Sequence, residues 1–274
     1  IVDEKRSYVK ARLVEIIEPS PLRIEGKKVA ETPGCVYANI SPAGEMAAKA
    51  SQLKEFFERA RIPIEKFHLA TLSDESFYNY RNKVVHHFAV EKGELKIGYR
   101  QEPAHRIVDM QEDPLALPAI NEKLPEIRRS IGALVFSGSH SVRRDTLAKA
   151  KVTIRWSAKS GVKWWVGEPP ADISIKETTL GRDFEVPAGG FYQVNPNVGE
   201  ELVRAVVKEY QSDPAKEVVD LYCGVGVFGL SLKPQKLIGV ESGRSAIDYA
   251  RVNAKKQHFD NAHFFALEVG KNMR

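Results

Sequence analysis

The chain has 274 residues, enough for two domains, and 43% of them are hydrophobic, which is ordinary for a protein with buried cores. Its formal net charge of +5 permits a polyanionic partner without requiring one. With only two cysteines, Cys35 and Cys223, a disulfide framework and a four-cysteine metal site are excluded, and we expect no bound metal. We find no apolar run long enough to cross a membrane and no signal peptide, so a cytoplasmic protein is expected.

The N-terminal part of the chain predicts one strand and one helix. Residues 8–17 alternate between apolar and polar side chains like a β-strand, and the prolines at 19 and 21 end it. Ser41 is a predicted N-cap for a helix that runs to about Arg61 and is stopped by Pro63. Its expected apolar face consists of Ala47, Ala50, Leu53, Phe56 and Phe57.

The middle of the chain predicts an α+β unit dominated by antiparallel hairpins. Two hairpins with glycine in their turns are predicted, around a helix at about 119–132. The expected hairpin strands are 83–90 with 95–100, and 151–157 with 162–166. Weaker strand patterns lie at 106–110, 136–140 and 172–178.

After Gly189 and Gly190 the pattern changes to alternating strands and helices. An amphipathic helix at 197–210, with Asn195 as its cap, precedes strands at 217–222, at 236–241 and from His263. A helix follows each of the first two strands, the second at 245–257. This β-α-β-α-β order predicts a parallel, Rossmann-type sheet. Only the first half of a doubly wound sheet is accounted for, so we expect the protein to be longer than residues 1–274.

A glycine-rich turn follows the first of these parallel strands and predicts a nucleotide-type ligand. Gly224 and Gly226 allow positive φ angles and close approach of a ligand to the backbone. Glu241, at the end of the next strand, is placed to accept hydrogen bonds from both hydroxyls of a ribose. Together with Gly229 the glycines also fit the dinucleotide fingerprint, so a nicotinamide dehydrogenase is one alternative.

Two features favour S-adenosylmethionine over a dinucleotide. Asp220 lies at the end of the strand before the glycines, where a carboxylate orders the loop of a methyltransferase. A polar segment, Phe-Tyr-Gln-Val-Asn-Pro-Asn at 191–197, precedes the first parallel strand and has no use in a dehydrogenase.

These motifs together resemble the TRAM-associated family of RNA uracil-5-methyltransferases. The resemblance is carried by 191–197, 220–226 and 239–241, and extends upstream through matching segments. Those segments are 80–84, 98–99, 105–109, 114–115 and 118–121. The resemblance implies S-adenosylmethionine as cofactor and a uridine of ribosomal or transfer RNA as substrate. It also implies that Gln193, Tyr222 and Glu241 contact the methyl donor, beside the turn at Gly224 and Gly226.

The resemblance also divides the chain. It predicts the remnant of a TRAM-like β-barrel at 1–25, an α+β RNA-facing domain at 26–180, and the first half of an α/β Rossmann-type methyltransferase domain at 181–274. The helix at 41–61 is expected to pack on the methyltransferase domain. We expect a monomer.

The chain departs from the family in three respects, one of which is that a single strand represents the N-terminal barrel. Many members hold an iron–sulfur cluster on four cysteines; here only Cys35 remains in the first region and Asp113 stands at the place of the fourth, so no cluster is expected. The family's nucleophilic cysteine, which attacks carbon 6 of uracil, and its general base are expected beyond Arg274, so no catalytic residue is assigned in this chain. Cys223 is expected to pack against the sheet. A catalytically inactive RNA-binding relative is therefore a second alternative.

Two further groups of side chains have a structural and an RNA-binding interpretation. Three tryptophans on neighbouring strands, Trp156, Trp164 and Trp165, fit a core or, alternatively, a base-stacking platform. The arginine pairs at 128–129 and 143–144 fit a solvated surface or, alternatively, contacts to phosphate.

Overall fold

A computed structural model of the chain describes residues 3–6, 8–11, 13–25, 32–63, 77–101, 106–136 and 150–270. The chain divides into two compact units, Ile1–Thr71 and Leu72–Arg274, and each is described by itself. The domain boundaries expected from the sequence, including a barrel remnant at 1–25, remain predictions.

The first unit contains a short antiparallel pair, β1 (Asp3–Lys5) and β2 (Tyr8–Lys10). The predicted strand at 8–17 was wrong beyond Lys10. Val14 and Ile17 are each 94% exposed, so no sheet or core covers these two side chains. Alternation by itself does not hold an extended segment in a sheet, because a strand also needs a partner for its backbone hydrogen bonds.

Helix α1 (Pro42–Arg59) is the main element of the first unit. Its cap is confirmed, since Ser41 Oγ accepts a hydrogen bond from the backbone N–H of Gly44 at 3.2 Å. The expected apolar face is not buried: Leu53 and Phe56 are exposed. Packing of this helix on the methyltransferase domain stays a prediction.

The second unit begins with a five-stranded antiparallel sheet in the order β5-β4-β3-β6-β7. Helix α2 (Pro118–Phe136) lies on one face of this sheet. The predicted strand at 136–140 was wrong at Phe136, which ends α2, and its other residues lie outside the described ranges. The five strands are β3 (Lys83–Glu91), β4 (Glu94–Gln101), β5 (Arg106–Asp109), β6 (Lys151–Ser157) and β7 (Gly161–Val166).

The core between α2 and the sheet is built from apolar side chains at alternate strand positions and at helical spacing. It includes Val84, Phe88, Ile97, Val152 and Ile154 from the strands, and Ile120, Leu124, Ile127 and Ile131 from the helix. Trp156 and Trp164 pack against this core and Trp165 is 7% exposed, so the structural interpretation of the tryptophans is confirmed.

A two-stranded hairpin, β8 (Ser174–Thr179) and β9 (Arg182–Pro187), joins the antiparallel sheet to the final part of the unit. The sequence predicted only the first of these strands. Phe184 and Val186 from β9 are fully buried in the same core as the parallel sheet that follows.

The predicted parallel sheet is confirmed. It comprises β10 (Glu217–Leu221), β11 (Lys236–Glu241) and β12 (Ala262–Ala266), hydrogen-bonded in that order and in parallel. Helix α3 (Pro196–Ser212) precedes β10, and the crossovers contain α4 (Val227–Leu232) and α5 (Arg244–Lys256). The carboxyl ends of β10 and β11 lie side by side, which is where ligands bind in sheets of this kind.

Candidate functional site

The glycine-rich turn after β10 has a strained backbone, and a hydrogen bond from a residue of the turn to Asp220 stabilises it. Tyr222, Gly224 and Gly226 all have positive φ angles, of 61°, 53° and 86°. Asp220 Oδ2 accepts a hydrogen bond from the backbone N–H of Gly229 at 2.9 Å, which confirms that this carboxylate orders the loop. Positive φ at a bulky residue such as Tyr222 costs about 1–3 kcal/mol and persists only where the surroundings enforce it.

The glycines of this turn have different reasons for lacking a side chain. A Cβ atom at Gly224 would meet nothing within 4 Å, so open space lies in front of the backbone there. A Cβ at Gly229 would come within 2.6 Å of Leu237 Cδ1, so this glycine allows the helix to pack against β11. Gly226 is intermediate, with Leu230 Cδ1 at 3.1 Å. The turn therefore offers an open backbone cradle at Gly224, which fits a ligand that approaches the main chain closely.

Glu241 ends β11 beside this turn and is held ready to accept hydrogen bonds. Its Oε1 accepts from the backbone N–H of Gly243 at 2.9 Å and from Ser242 Oγ at 3.0 Å. Burial raises the pKa of this carboxyl, but hydrogen bonds from Gly243, Ser242 and the backbone of Gly224 outweigh it and bring the pKa below its usual value. An ionised carboxylate at this strand end fits the recognition of ribose hydroxyls.

A cavity of about 630 Å³, open mouth included, lies between the glycine turn, the β8 strand and the segment before α3. Gln193, Tyr222 and Gly224 line it, so the structure brings together three of the five predicted binding residues. Gly226 and Glu241 do not line this cavity; Glu241 lies at the neighbouring strand end and is joined to the turn through Gly224.

The segment that carries Gln193 is fixed at several points. Arg155 donates from Nη1 to the carbonyl oxygen of Gly190 at 3.2 Å, and the backbone N–H of Asn82 donates to the carbonyl of Val194 at 2.8 Å. The hydroxyl of Tyr192 is hydrogen-bonded to Thr179 Oγ1, and Asn195 caps α3 as predicted. A side chain held by a rigid segment loses little further entropy when it binds a ligand.

We expect Gln193→Ala to weaken binding of S-adenosylmethionine by about 1 kcal/mol, because a neutral amide is lost from the cavity wall. Isothermal titration calorimetry measures the change, with the exposed Gln211→Ala in α3 as a matched control. An affinity equal to that of the control variant would remove Gln193 from the site.

The sequence did not predict that β8 forms one side of the cavity. Glu177, Thr178 and Thr179 of β8 line the cavity, and Glu177 is only 5% exposed. Arg155 donates to Glu177 Oε1 from Nη2 at 2.9 Å and from Nε at 3.2 Å. Burial raises the pKa of Glu177, with Arg155 acting in the opposite direction. The available signal was the alternation of β8, which places Glu177 on the same face as the buried Ile175 and Thr179.

Cys223 packs in the core of the parallel sheet, as predicted from the sequence. It is 6% exposed, and burial, followed by the nearby carboxylates of Asp220 and Glu241, raises the pKa of its thiol to about 12. A thiol with this pKa is almost entirely protonated at neutral pH, so Cys223 is unsuited to act as a nucleophile.

We expect the purified protein to carry no iron–sulfur cluster, because Cys35 and Cys223 cannot supply the four thiolates that such a cluster needs. Anaerobic purification followed by iron analysis and a visible spectrum decides this. Stoichiometric iron with an absorption band at about 400 nm would show that the protein holds a cluster.

Arg128 is not a free surface cation. It forms a two-pronged ion pair with Asp109, at 3.0 Å from Nη1 and 3.1 Å from Nη2, and also donates to the carbonyl of Met110. The solvated-surface interpretation is therefore wrong for Arg128, and contact with phosphate stays a prediction. The arginines at 143 and 144 lie outside the described residues.

Within the described ranges, no helix is long and apolar enough to span a membrane.

Comparison with known proteins agrees with the motifs. Residues 173–271 match the model of the tRNA (uracil-5-)-methyltransferase family. The tRNA (uracil(54)-C(5))-methyltransferase of Schizosaccharomyces pombe is 29% identical over 97% of this chain and 52% of its own length. The 23S rRNA (uracil(1939)-C(5))-methyltransferase of Alkalilimnicola ehrlichii is 26% identical over 97% of this chain and 67% of its own. The chain thus spans between about half and two thirds of these relatives.

The fold agrees as well. The crystal structure of Pyrococcus abyssi tRNA (uracil-54, C5)-methyltransferase in complex with S-adenosyl-L-homocysteine superposes with a TM-score of 0.68 at 20% identity. The likeness covers 93% of this chain and 68% of that one. The resemblance drawn from the glycine turn and the segment at 191–197 is confirmed by the match of residues 173–271 to the tRNA (uracil-5-)-methyltransferase model.

Proposed function

We propose that the cavity and the adjoining strand ends bind S-adenosylmethionine, which supplies the methyl group when bound. The single observation that carries this proposal is the open backbone cradle at Gly224, beside the ionised carboxylate of Glu241. We assign the ribose hydroxyls to Glu241, and the remainder of the methyl donor to Gln193, Tyr222 and the turn through Gly226. The family match at 173–271 supports this assignment over a dinucleotide.

We further propose that the protein transfers the methyl group to carbon 5 of a uridine in ribosomal or transfer RNA. The names of the relatives from S. pombe and A. ehrlichii support a uracil substrate and disagree on the RNA, so both remain candidates. Because carbon 5 lies inside a stacked base, the target uridine must leave its stack to reach the cavity. The exposed rings of Phe191 and Tyr222 at the cavity offer surfaces for such a base. An RNA substrate in the cytoplasm and a monomeric protein complete the proposal.

Mass-spectrometric mapping of 5-methyluridine in RNA from cells lacking the protein tests this function. We expect one or more 5-methyluridines to disappear, to return with the wild-type gene, and not to return with a Glu241→Ala variant. An unchanged set of 5-methyluridines would contradict the proposal and favour an inactive RNA-binding relative.

A further inference from the structure

The carboxylate of Glu177 is a buried acceptor with one oxygen in use. Its Oε1 accepts both hydrogen bonds from Arg155, and the side chains of the two residues are 6% and 1% exposed. No hydrogen bond to Oε2 occurs within the described residues, and Glu177 lines the cavity shared with Gln193 and Tyr222. Because this oxygen is not sealed from solvent, it can accept a hydrogen bond from a ligand in the cavity.

The charges around Glu177 indicate what kind of partner fits. Arg155 already neutralises the carboxylate, and Lys83 lies opposite Arg155 in the sheet register and points its Nζ toward the carbonyl of Gly190 at 3.4 Å. Burial, followed by repulsion from Arg155 and Lys151, lowers the pKa of Lys83, so the side of Glu177 that faces Arg155 is already rich in positive charge. A further cation, such as the ammonium group of a methyl donor, would be repelled, whereas a neutral N–H group would be bound without that cost.

Building on the proposed function, we propose that Glu177 accepts a hydrogen bond from the N3–H of the target uracil and thereby selects uracil over cytosine. Uracil carries a hydrogen on N3, whereas N3 of cytosine is itself an acceptor. A cytosine in the same position would leave two acceptors facing each other in a buried site. Sites built to bond one polar group discriminate strongly against a base that lacks it.

Arg155 acts in this account as a positioning residue. Its Nη2 and Nε hold Glu177, while its Nη1 reaches the carbonyls of Gly190 and Ala188, just before the segment that carries Gln193. The guanidinium of Arg155 therefore holds the carboxylate of Glu177 at a fixed position relative to the start of the 191–197 segment.

Glu177→Gln is the variant that tests the proposal. Its amide oxygen would pair with Arg155, which turns the NH2 group toward the cavity and places a donor where the acceptor stood. We expect kcat/KM for uridine at the target position of an RNA substrate to fall about 10–100-fold. The ratio of kcat/KM for uridine to that for cytidine should fall with it. Glu185→Gln is a matched control, since that glutamate of β9 bonds Lys256 and Ser174 outside the cavity.

Calorimetry with S-adenosylhomocysteine distinguishes this role from others. We expect Glu177→Gln to bind it within about twofold of wild type, which also shows that the pocket is folded. Clearly weakened binding with an unchanged uridine-to-cytidine ratio would overturn the proposal and assign Glu177 to the methyl donor.

A change in the substrate provides a test that needs no variant. Wild-type protein should fail to methylate RNA whose target uridine carries a methyl group on N3, and equal rates on N3-methyluridine and uridine would overturn the proposal. Failure of this inference alone leaves wild-type transfer to uridine intact. If the wild-type protein binds S-adenosylhomocysteine but transfers no methyl group to any uridine, both the proposed function and the role of Glu177 in base selection are excluded.

Discussion

Replacing Asp113 with alanine is expected to lower the free energy of unfolding by about 3–5 kcal/mol, because three hydrogen-bond donors lose a buried acceptor and each such loss costs about 1–3 kcal/mol. Asp113 is fully buried, and its Oδ2 accepts hydrogen bonds from His86 Nε2 at 2.9 Å and from the hydroxyl of Tyr99 at 2.7 Å. Its Oδ1 accepts from the backbone N–H of Leu115 at 2.9 Å. Truncation would leave the ring nitrogen of His86, itself fully buried, without this partner.

Urea denaturation followed by circular dichroism measures this effect. The neighbouring Glu112→Ala removes the same kind of charge from an exposed position and is expected to change the free energy of unfolding by less than about 0.5 kcal/mol. Equal unfolding midpoints for the two variants would show that the network around Asp113 does not stabilise the fold.

The same carboxylate predicts a dependence of stability on pH. Burial raises the pKa of Asp113, but hydrogen bonds from His86, Leu115 and Tyr99 outweigh it and hold the pKa below its usual value. A lowered folded-state pKa means that the contribution is fully present above the unfolded value of about 3.9 and is lost as pH falls through the lower folded value. The wild-type protein should therefore lose more stability than Asp113→Ala when pH falls from about 5 to below about 3.

Replacing Glu241 with alanine is expected to weaken S-adenosylmethionine binding by about 2–3 kcal/mol, because a charged hydrogen-bond acceptor is lost. The fold should survive, since Glu241 is partly exposed and its carboxylate bonds residues of the adjoining loops, Ser242, Gly243 and the backbone of Gly224, rather than the core. Calorimetry at a constant pH near 7 measures the affinity.

Glu217→Ala is the matched control for Glu241. Glu217 begins β10 at the opposite end of the same sheet, where it pairs with Lys236 in an exposed salt bridge. Such exposed pairs contribute little, so the control should bind the methyl donor like wild type. A folded Glu241→Ala variant with wild-type affinity would exclude Glu241 from the site.

The sequence predicted those helices and strands whose apolar pattern or capping residue lies within the element itself. The apolar run at 236–241 is β11 residue for residue, and the cap at Asn195 starts α3 because its side chain bonds the N–H of Val198. By contrast, β9 has the polar sequence Arg-Asp-Phe-Glu-Val-Pro and was missed. Its burial comes from α5, where Asn253 bonds the backbone of Glu185, a contact 68 residues away in sequence.

The candidate site divides in the same way. The local motif predicted the glycine turn, since turn geometry depends on neighbouring residues, whereas Gln193 was expected from the family resemblance carried by 191–197. The pairing of Arg155 with Glu177 joins two strands and depends on both side chains being excluded from water, which no local pattern encodes. The alternation at 8–17 predicted a longer strand than the structure has, because among the described residues its partner is the three-residue strand β1.

Calorimetric titration with S-adenosylmethionine and, separately, with NAD tests the central claim most directly, namely that the strand ends around Gly224 and Glu241 form a methyl-donor site. The account predicts one equivalent of S-adenosylmethionine bound per chain and no heat of binding with NAD. Binding of NAD without S-adenosylmethionine would contradict it.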